Sequence, residues 1–554
     1  MRSTASTIAS MILAASFAGA ARAQADAPTT RPAPATQPAA APDEAQALLG
    51  SRYTRIAAGF SICPPVGGKT QQRLAVGLDE PFVTFSSDED HWTLKVLQLM
   101  RENKTTLLTP RPGDPAAGVQ RFVAGKPVPP APGLLDELEG ALQRNNPGTP
   151  ILRKDVVNVG RYDTGVLISR YTMGVQTWLH QQAVIQESPM HFFVVDFTTP
   201  SGWSAKQPDA DDPAETIAVG LFDAMLRSVQ VFDTAPVRQE LKTRVWAGEA
   251  MGVNLAKRAE SALIPEQYYR VLVRNKDAGW LFVSEKFDDY NGKHGIRVAS
   301  AFSRQDKAGG PITRVDAELF STADRRQPDE AWVSRTTINA LDSFNEYGHS
   351  YKHNRARVVA VAPKDLNKPL GHEAFTVEAQ SLMVNQSLQG QTQSIERELA
   401  NPYCYLPQAW TLLLPRLLPF KEHKEYAFAA WIPSEREIIL RYVDTGDERE
   451  VRFNGKTFRA WVVRDRISLE GDPTFHYFNA AGVYLGSETP AGGISIVPSD
   501  FKALHELYPN ETFTPLPLLK GLTPPPGTGT PVLKEWMRDK ARSDSLRSRP
   551  DTDR

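Results

Sequence analysis

Val451-Arg452-Phe453-Asn454-Gly455-Lys456-Thr457-Phe458-Arg459-Ala460 decides the fold of the larger part of the chain. Val451 and Phe453 alternate with Arg452, and Phe458 and Ala460 alternate with Arg459. Between the two runs stands Asn454-Gly455, the pair that accepts the two positive φ angles of a tight hairpin. Two antiparallel strands with one apolar face each are therefore predicted. The same pattern extends outward. Upstream, Tyr426, Phe428 and Ala430 alternate, as do Ile438, Leu440 and Tyr442, with a turn expected at Thr445-Gly446-Asp447. Downstream lie Thr474–Phe478, Val483–Ser487 and Gly493–Val497.

The meander begins much earlier. Tyr269, Val271 and Val273 alternate with Arg270, Leu272 and Arg274. Trp280 and Phe282 point one way, Leu281 and Val283 the other. Asn291-Gly292 marks a second hairpin. Further strands are predicted at Ile312–Phe320, Ala331–Ile338, Ala356–Val361 and Ala374–Ala379. The segment from Ile395 to Leu418 interrupts them. Its apolar run (Trp410, Leu412, Leu413, Leu414, Leu417, Leu418) predicts a covering helix, with Pro407 near its start and Pro415 near its end.

The first folded part has a different rhythm. Gly59-Phe60-Ser61-Ile62 is a short strand ended by Pro64-Pro65. Trp92, Leu94 and Val96 alternate. A Pro-rich stretch from Pro110 to Pro132 follows, then Leu134, Leu135, Leu138, Ala141 and Leu142 at helical spacing. Strands are predicted at Gly165–Tyr171, Val175–Ile185 and His191–Thr198. Asp212-Pro213-Ala214-Glu215 reads as a helix start, with Asp as the cap and Pro at the first helical position. Ile217, Leu221 and Met225 give that helix its buried stripe. Val237 to Glu260 is a connecting helix, weakened by Gly248 and Gly252.

The amino terminus carries an address. Arg2, the apolar run Ile8–Ala20 and Ala21-Arg22-Ala23 form a signal peptide ending before Gln24. The expected product is exported: periplasmic, cell-surface or extracellular. The organisation is then signal peptide 1–23, Pro/Ala-rich linker 24–47, first domain 48–235, connecting helix 236–264, β-meander domain 265–515, and a disordered tail with a short helix 516–554. No later stretch is apolar enough to span a bilayer, so no transmembrane anchor is expected. The net charge is −1, from 63 basic and 64 acidic residues, so no global field favours nucleic acid. Cys63 and Cys404 offer one disulfide in an oxidising compartment, but the favoured reading is two buried, inert thiols.

No catalytic motif emerges. His349 and His353 have the i, i+4 spacing of a helical metal pair, but Glu does not follow His349, and Gly348 and Asn354 favour a loop. Val66-Gly67-Gly68-Lys69-Thr70 lacks the first glycine of a phosphate loop. Asp88-Glu89-Asp90-His91 gathers three carboxylates and an imidazole, yet adjacent residues point apart. No metal, cofactor or catalytic residue is assigned, and the reading leans away from an enzyme.

Two resemblances follow from these strings. The Gly59-Phe60-Ser61-Ile62 strand, a central antiparallel set and a helix leading into Ser228-Val229-Gln230-Val231-Phe232-Asp233 resemble the PsbP/Mog1/DcrB-type αβα sandwich. The long meander with an inserted helix, closing on Phe478-Asn479-Ala480-Ala481-Gly482-Val483-Tyr484-Leu485-Gly486-Ser487-Glu488, resembles LolA/LolB-type lipoprotein carriers and related exported domains of unknown function. The fold expected is α+β: an N-terminal αβα sandwich with an antiparallel sheet, followed by a larger curved antiparallel β half-barrel with an inserted helix. The second resemblance implies a concave apolar face for a lipid-like ligand. Trp280, Phe282, Trp332, Trp431, Trp461 and Phe478 are the residues expected to line it. The function expected is non-enzymatic binding or accessory work. The alternatives are an exported hydrolase with an unrecognised site, and an assembly factor acting by protein docking.

Overall fold

The computed structural model describes residues 44–520 apart from 74–79, 102, 111–121, 124–125, 128–131, 174–175, 201–212, 306–309, 324–328, 362–370, 389–390 and 400–402. The signal peptide, the linker to residue 43, most of the Pro-rich stretch, the Asp212 cap and the tail from residue 521 lie outside the described residues. The chain divides into two compact units, with the boundary between Arg238 and Gln239.

In the first unit, Glu44–Ala47, assigned above to the linker, form a short helix, α1. Then come β1 (Tyr53–Arg55), β2 (Phe60–Ile62), β3 (Lys69–Gln72), β4 (Pro81–Ser86), β5 (Thr93–Met100), β6 (Phe122–Val123), β7 (Lys126–Pro127) and α2 (Leu134–Asn145). They are followed by β8 (Ile151–Val159), β9 (Tyr162–Met173), β10 (Gln176–Ser188), β11 (His191–Pro200), α3 (Pro213–Ser228) and β12 (Gln230–Val231). Seven antiparallel strands form the main sheet in the order β3-β4-β5-β11-β10-β9-β8.

Leu134 and Leu135 of α2 pack on one sheet face with Leu167, Val184, Phe192 and Val194. Leu221, Phe222 and Met225 of α3 pack on the other with Ala183, Ile185, Phe193, Val195 and Phe197. A sheet covered on both faces needs apolar side chains on both, so Ala183-Val184-Ile185 and Phe192–Val195 are continuous apolar runs. These layers are the αβα sandwich. The two strings that suggested it touch: Val231 of β12 pairs with Phe60 of β2 in a small separate sheet.

Helix α4 (Ala235–Ala262) crosses the unit boundary. Gly248 and Gly252 do not break it. Both are buried, and a Cβ on Gly248 would overlap the Ala427 carbonyl, so the glycine permits close approach to the sheet.

The second unit contains β13 (Gln267–Val273), β14 (Lys276–Tyr290), β15 (Lys293–Gln305), β16 (Ile312–Thr322), β17 (Glu330–Ile338), β18 (Leu341–Val361), β19 (Gly371–Leu388) and β20 (Gln391–Glu398). Next come α5 (Gln408–Leu417), β21 (Lys424–Ile432), β22 (Glu437–Phe453), β23 (Lys456–Ile467), β24 (Thr474–Phe478), β25 (Tyr484–Thr489), β26 (Ile494–Ser499) and α6 (Phe501–Leu507). The strands make one curved 14-stranded antiparallel sheet. One meander runs from β13 out to β20 and a second from β21 in to β26; the two are joined by the β13–β26 ladder.

The sheet is an open half-barrel whose edge strands are β20 and β21. Side chains link β20 to the turn and start of β22 beyond β21: Arg397 Nε pairs with Glu437 Oε2 at 2.7 Å, and Arg436 Nη1 donates to Gln393 Oε1 at 2.6 Å. The β21 edge is also capped. Leu406 N donates to Ala429 O at 2.7 Å, and Ala429 N donates to Cys404 O at 3.1 Å. Covering an edge in this way removes a template for pairing with another chain.

Asn454 and Gly455 have φ of 49° and 71°, the hairpin expected. Three local expectations are corrected. Ile395 lies on β20, so the helix is confined to Gln408–Leu417. Thr445-Gly446-Asp447 is a bulge inside β22 rather than a turn, because Asp444 and Asp447 both stay paired to β23. His349 and His353 lie on β18, not in a loop.

Candidate functional site

Helix α5 lies on one face of the second sheet, here called the inner face. Both ends of the helix are buried, so their unpaired backbone groups need partners. Gln408 N donates to Glu330 Oε2 at 2.8 Å, placing a carboxylate at the positive end of the helix. Pro415 lacks the N–H that would reach the Thr411 carbonyl. Arg441 Nη1 donates to that carbonyl instead, at 2.7 Å. Arg441 is itself fully buried and pairs with Asp465, with Nε to Oδ1 at 2.8 Å. Burial opposes ionisation of Asp465, but the adjacent guanidinium outweighs it and holds the carboxyl below its usual range.

Beside the C-terminal half of α5 the inner face holds a pocket of about 70 Å³. Leu281, Val283, Leu412, Pro415 and Ile496 supply apolar walls; Gln267, Tyr269, Glu285, Arg416, His476 and Tyr484 supply polar ones. Glu285 is buried and fully engaged. It pairs with Arg416, accepts from Gln267 Nε2 at 2.8 Å, and accepts from Ile264 N at 3.0 Å. Tyr269 donates to Gln267 Oε1 at 2.5 Å. Arg416 also donates to Ala262 O at 3.0 Å.

His476 is 4% exposed. Its Nδ1 lies 3.4 Å from the Tyr484 hydroxyl, and its Nε2 lies 3.6 Å from Asp465 Oδ2, beyond hydrogen-bond reach. Among the described residues Nε2 has no hydrogen-bond partner. Burial lowers the His476 pKa, against the pull of Asp465. Burial pushes the Tyr484 hydroxyl up to about 12.

The six aromatic residues expected at the site occupy three places. Trp280 and Phe282 face the outer side, where Leu504 of α6 and Phe513 cover them. The pocket takes their neighbours Leu281 and Val283 instead, as the period-2 alternation of a strand requires. Trp461 and Phe478 are cross-strand partners on the inner face, grouped with Phe420: its ring centroid is 5.2 Å from Phe478 and 6.4 Å from Trp461. Phe478 lies 5.5 Å from Tyr484 and so adjoins the pocket. Trp332 and Trp431 are fully buried further along the sheet.

There Trp332 Nε1 donates to Glu346 Oε1 at 2.8 Å, and Gln386 Nε2 donates to Glu346 Oε2 at 2.7 Å. Burial raises the Glu346 pKa, and these hydrogen bonds offset only part of the rise. The folded chain therefore keeps a proton on Glu346 where the unfolded chain has lost it. Stability from this group is present below the ordinary glutamate pKa of about 4.3 and is lost as pH rises through the raised value. Glu346→Gln should gain on the wild type as pH climbs from about 4 to about 8. A melting-temperature difference that stays flat across that range rejects the assignment.

The other motifs do not converge. His349 and His353 are four residues apart on a strand, about 13 Å at 3.3 Å per residue, too far to share one ion. His349 is buried, which lowers its pKa to about 4. Asp88 pairs with Lys69, and Asp90 Oδ2 lies 3.2 Å from Ser87 Oγ. Cys63 and Cys404 are not joined in a disulfide; Cys404 is buried, and Cys63 is partly so. Among the described residues no group of three or more His, Cys, Asp or Glu is arranged to hold a metal ion, and no helix is long and apolar enough to cross a membrane.

The polar half of the pocket was not singled out from sequence, although it left a signal. Arg416 stands alone in Leu412-Leu413-Leu414-Pro415-Arg416-Leu417-Leu418, and Glu285 follows Leu281 and Val283 at period 2. A lone charge at an apolar position needs a buried partner.

No family model matches the chain, and no curated protein matches it. Several solved structures are similar to parts of it. One is the cyanobacterial PsbP (CyanoP) from Synechocystis sp. PCC 6803, at 16% identity, covering 33% of this chain and 92% of that one, with a TM-score of 0.22. Another is a β-barrel-like protein of a domain of unknown function from Brucella abortus, at 11% identity, covering 43% and 95%, with a TM-score of 0.27. A third is a protein of Bacteroides thetaiotaomicron VPI-5482, at 12% identity, covering 38% and 61%, with a TM-score of 0.19.

Proposed function

We propose that this chain is an exported, non-enzymatic binding or accessory protein that holds one end of an apolar, lipid-like ligand beside α5. The observation that carries this reading is the pocket itself: an apolar-walled recess on the inner face of an open sheet. Its volume, about 70 Å³, is well below the ~300–1,000 Å³ of a pocket that encloses a drug-sized ligand. It therefore takes the end of a molecule, with the remainder lying against the neighbouring wall of Phe420, Trp461 and Phe478. Glu285, Gln267 and Arg416 are committed to one another, which suits a binding wall better than a reacting centre.

The test is an organic extract of the full chain, purified after export and read by mass spectrometry. A lipid-like compound is expected from the wild type. It should be absent from Leu412→Trp, whose indole fills the pocket, provided the variant melts as the wild type does. Intact mass of the same sample should begin at Gln24. Equal extracts from the two proteins, or an empty wild-type extract, would reject the reading.

A further inference from the structure

The pocket's charges cancel in place. Arg416 is neutralised by Glu285, and Arg441, behind His476, is neutralised by Asp465. An ionised headgroup entering here would lose its water and find no free counter-charge, which is costly. An uncharged polar group meets the opposite situation. His476 Nε2 is buried without a hydrogen-bond partner among the described residues, and the Tyr484 hydroxyl, in contact with Ser487, reaches Nδ1 only at a long 3.4 Å. Both residues line the pocket, and burial lowers the pKa of the imidazole.

We infer that the pocket receives an uncharged hydrogen-bonding group on an apolar stem, an alcohol being the simplest case, and excludes the ionised equivalent. This rests on the binding reading above. The Tyr484 hydroxyl is the group that recognises the ligand's polar end. Glu285 and Arg416 fix the wall without binding the ligand, and Leu281 and Val283 meet the stem.

The probes are 1-hexanol and hexanoate, which share a chain length and differ in charge at about pH 7.5. Each is titrated calorimetrically into the full chain. Hexanol should bind at least about tenfold more tightly than hexanoate, because only the anion leaves an unpaired charge out of water. Tyr484→Phe should weaken hexanol about fivefold, the usual worth of one hydrogen bond, and leave hexanoate unchanged. Leu412→Trp should abolish hexanol binding.

Hexanoate binding as tightly as hexanol, with both lost in Leu412→Trp, overturns the selectivity and leaves the binding reading intact. Tyr484→Phe weakening both probes equally also overturns the selectivity. If neither probe binds, or if binding survives Leu412→Trp, the binding reading falls and the inference falls with it.

Discussion

Asp465→Ala is expected to lower the stability of the second unit by about 3–5 kcal/mol, the usual cost of stranding one member of a buried ion pair. Arg441 and Asp465 both have fully buried side chains, so removing the carboxylate leaves a guanidinium with no route to water. The damage should spread, because the same guanidinium satisfies the Thr411 carbonyl that Pro415 leaves open. Urea unfolding followed by tryptophan fluorescence reports this unit through Trp280, Trp332, Trp410, Trp431 and Trp461, and the comparison with the wild type removes the common signal of Trp92, Trp178 and Trp203 in the first unit. A paired replacement, Arg441→Met with Asp465→Leu, should recover much of the loss, because a buried pair is often replaceable by apolar side chains. If Asp465→Ala costs less than about 1 kcal/mol, as an exposed pair would, the pair is not buried as described.

Gly348→Ala carries the second large effect. Gly348 of β18 pairs with Trp332 of β17, and the indole lies flat over the glycine. A Cβ there would overlap the ring. The cost should fall at the upper end of the ~1–3 kcal/mol usual for overpacking, because Trp332 is tied to Glu346 by its N–H and cannot swing away. The same substitution in a Trp332→Leu background should cost almost nothing. Additive costs in the double variant would show that the clash is not with Trp332.

Much of this architecture is legible in the sequence because it rests on local periodicity. Asn454-Gly455 forms a tight hairpin, and the alternation of β13 and β14 gives their two faces. The doubly apolar runs of β10 and β11 foretell a sheet covered on both sides. Alternation does not say which face turns inward, and so it does not separate Trp280 and Phe282 from Leu281 and Val283 as pocket residues. In the site's polar half the lone charges are legible but their pairing is not. Glu285 and Arg416 are 131 residues apart, and Arg441 and Asp465 are 24 apart, so only the tertiary fold shows that they meet. Gly446 looked like a turn because glycine serves turns and bulges alike, and only the pairing of Asp444 and Asp447 distinguishes them.

The β13–β26 ladder has a consequence for how the unit is made. Tyr268 pairs with Ser499 and Val273 with Ile494, so the seam at the centre of the sheet joins the first strand of the unit to its last. Hairpins from β13 to β20 can form one after another as the chain emerges, since each closes a short loop. The seam cannot form until Ile494–Ser499 exist, and contacts so distant along the chain make folding slow. Until then β13 presents an unsatisfied backbone edge beside the apolar surface of Tyr269 and Val271, a template for pairing with other chains. A chain truncated before Ile494 would keep that edge permanently, and its fate should be aggregation rather than a smaller folded sheet.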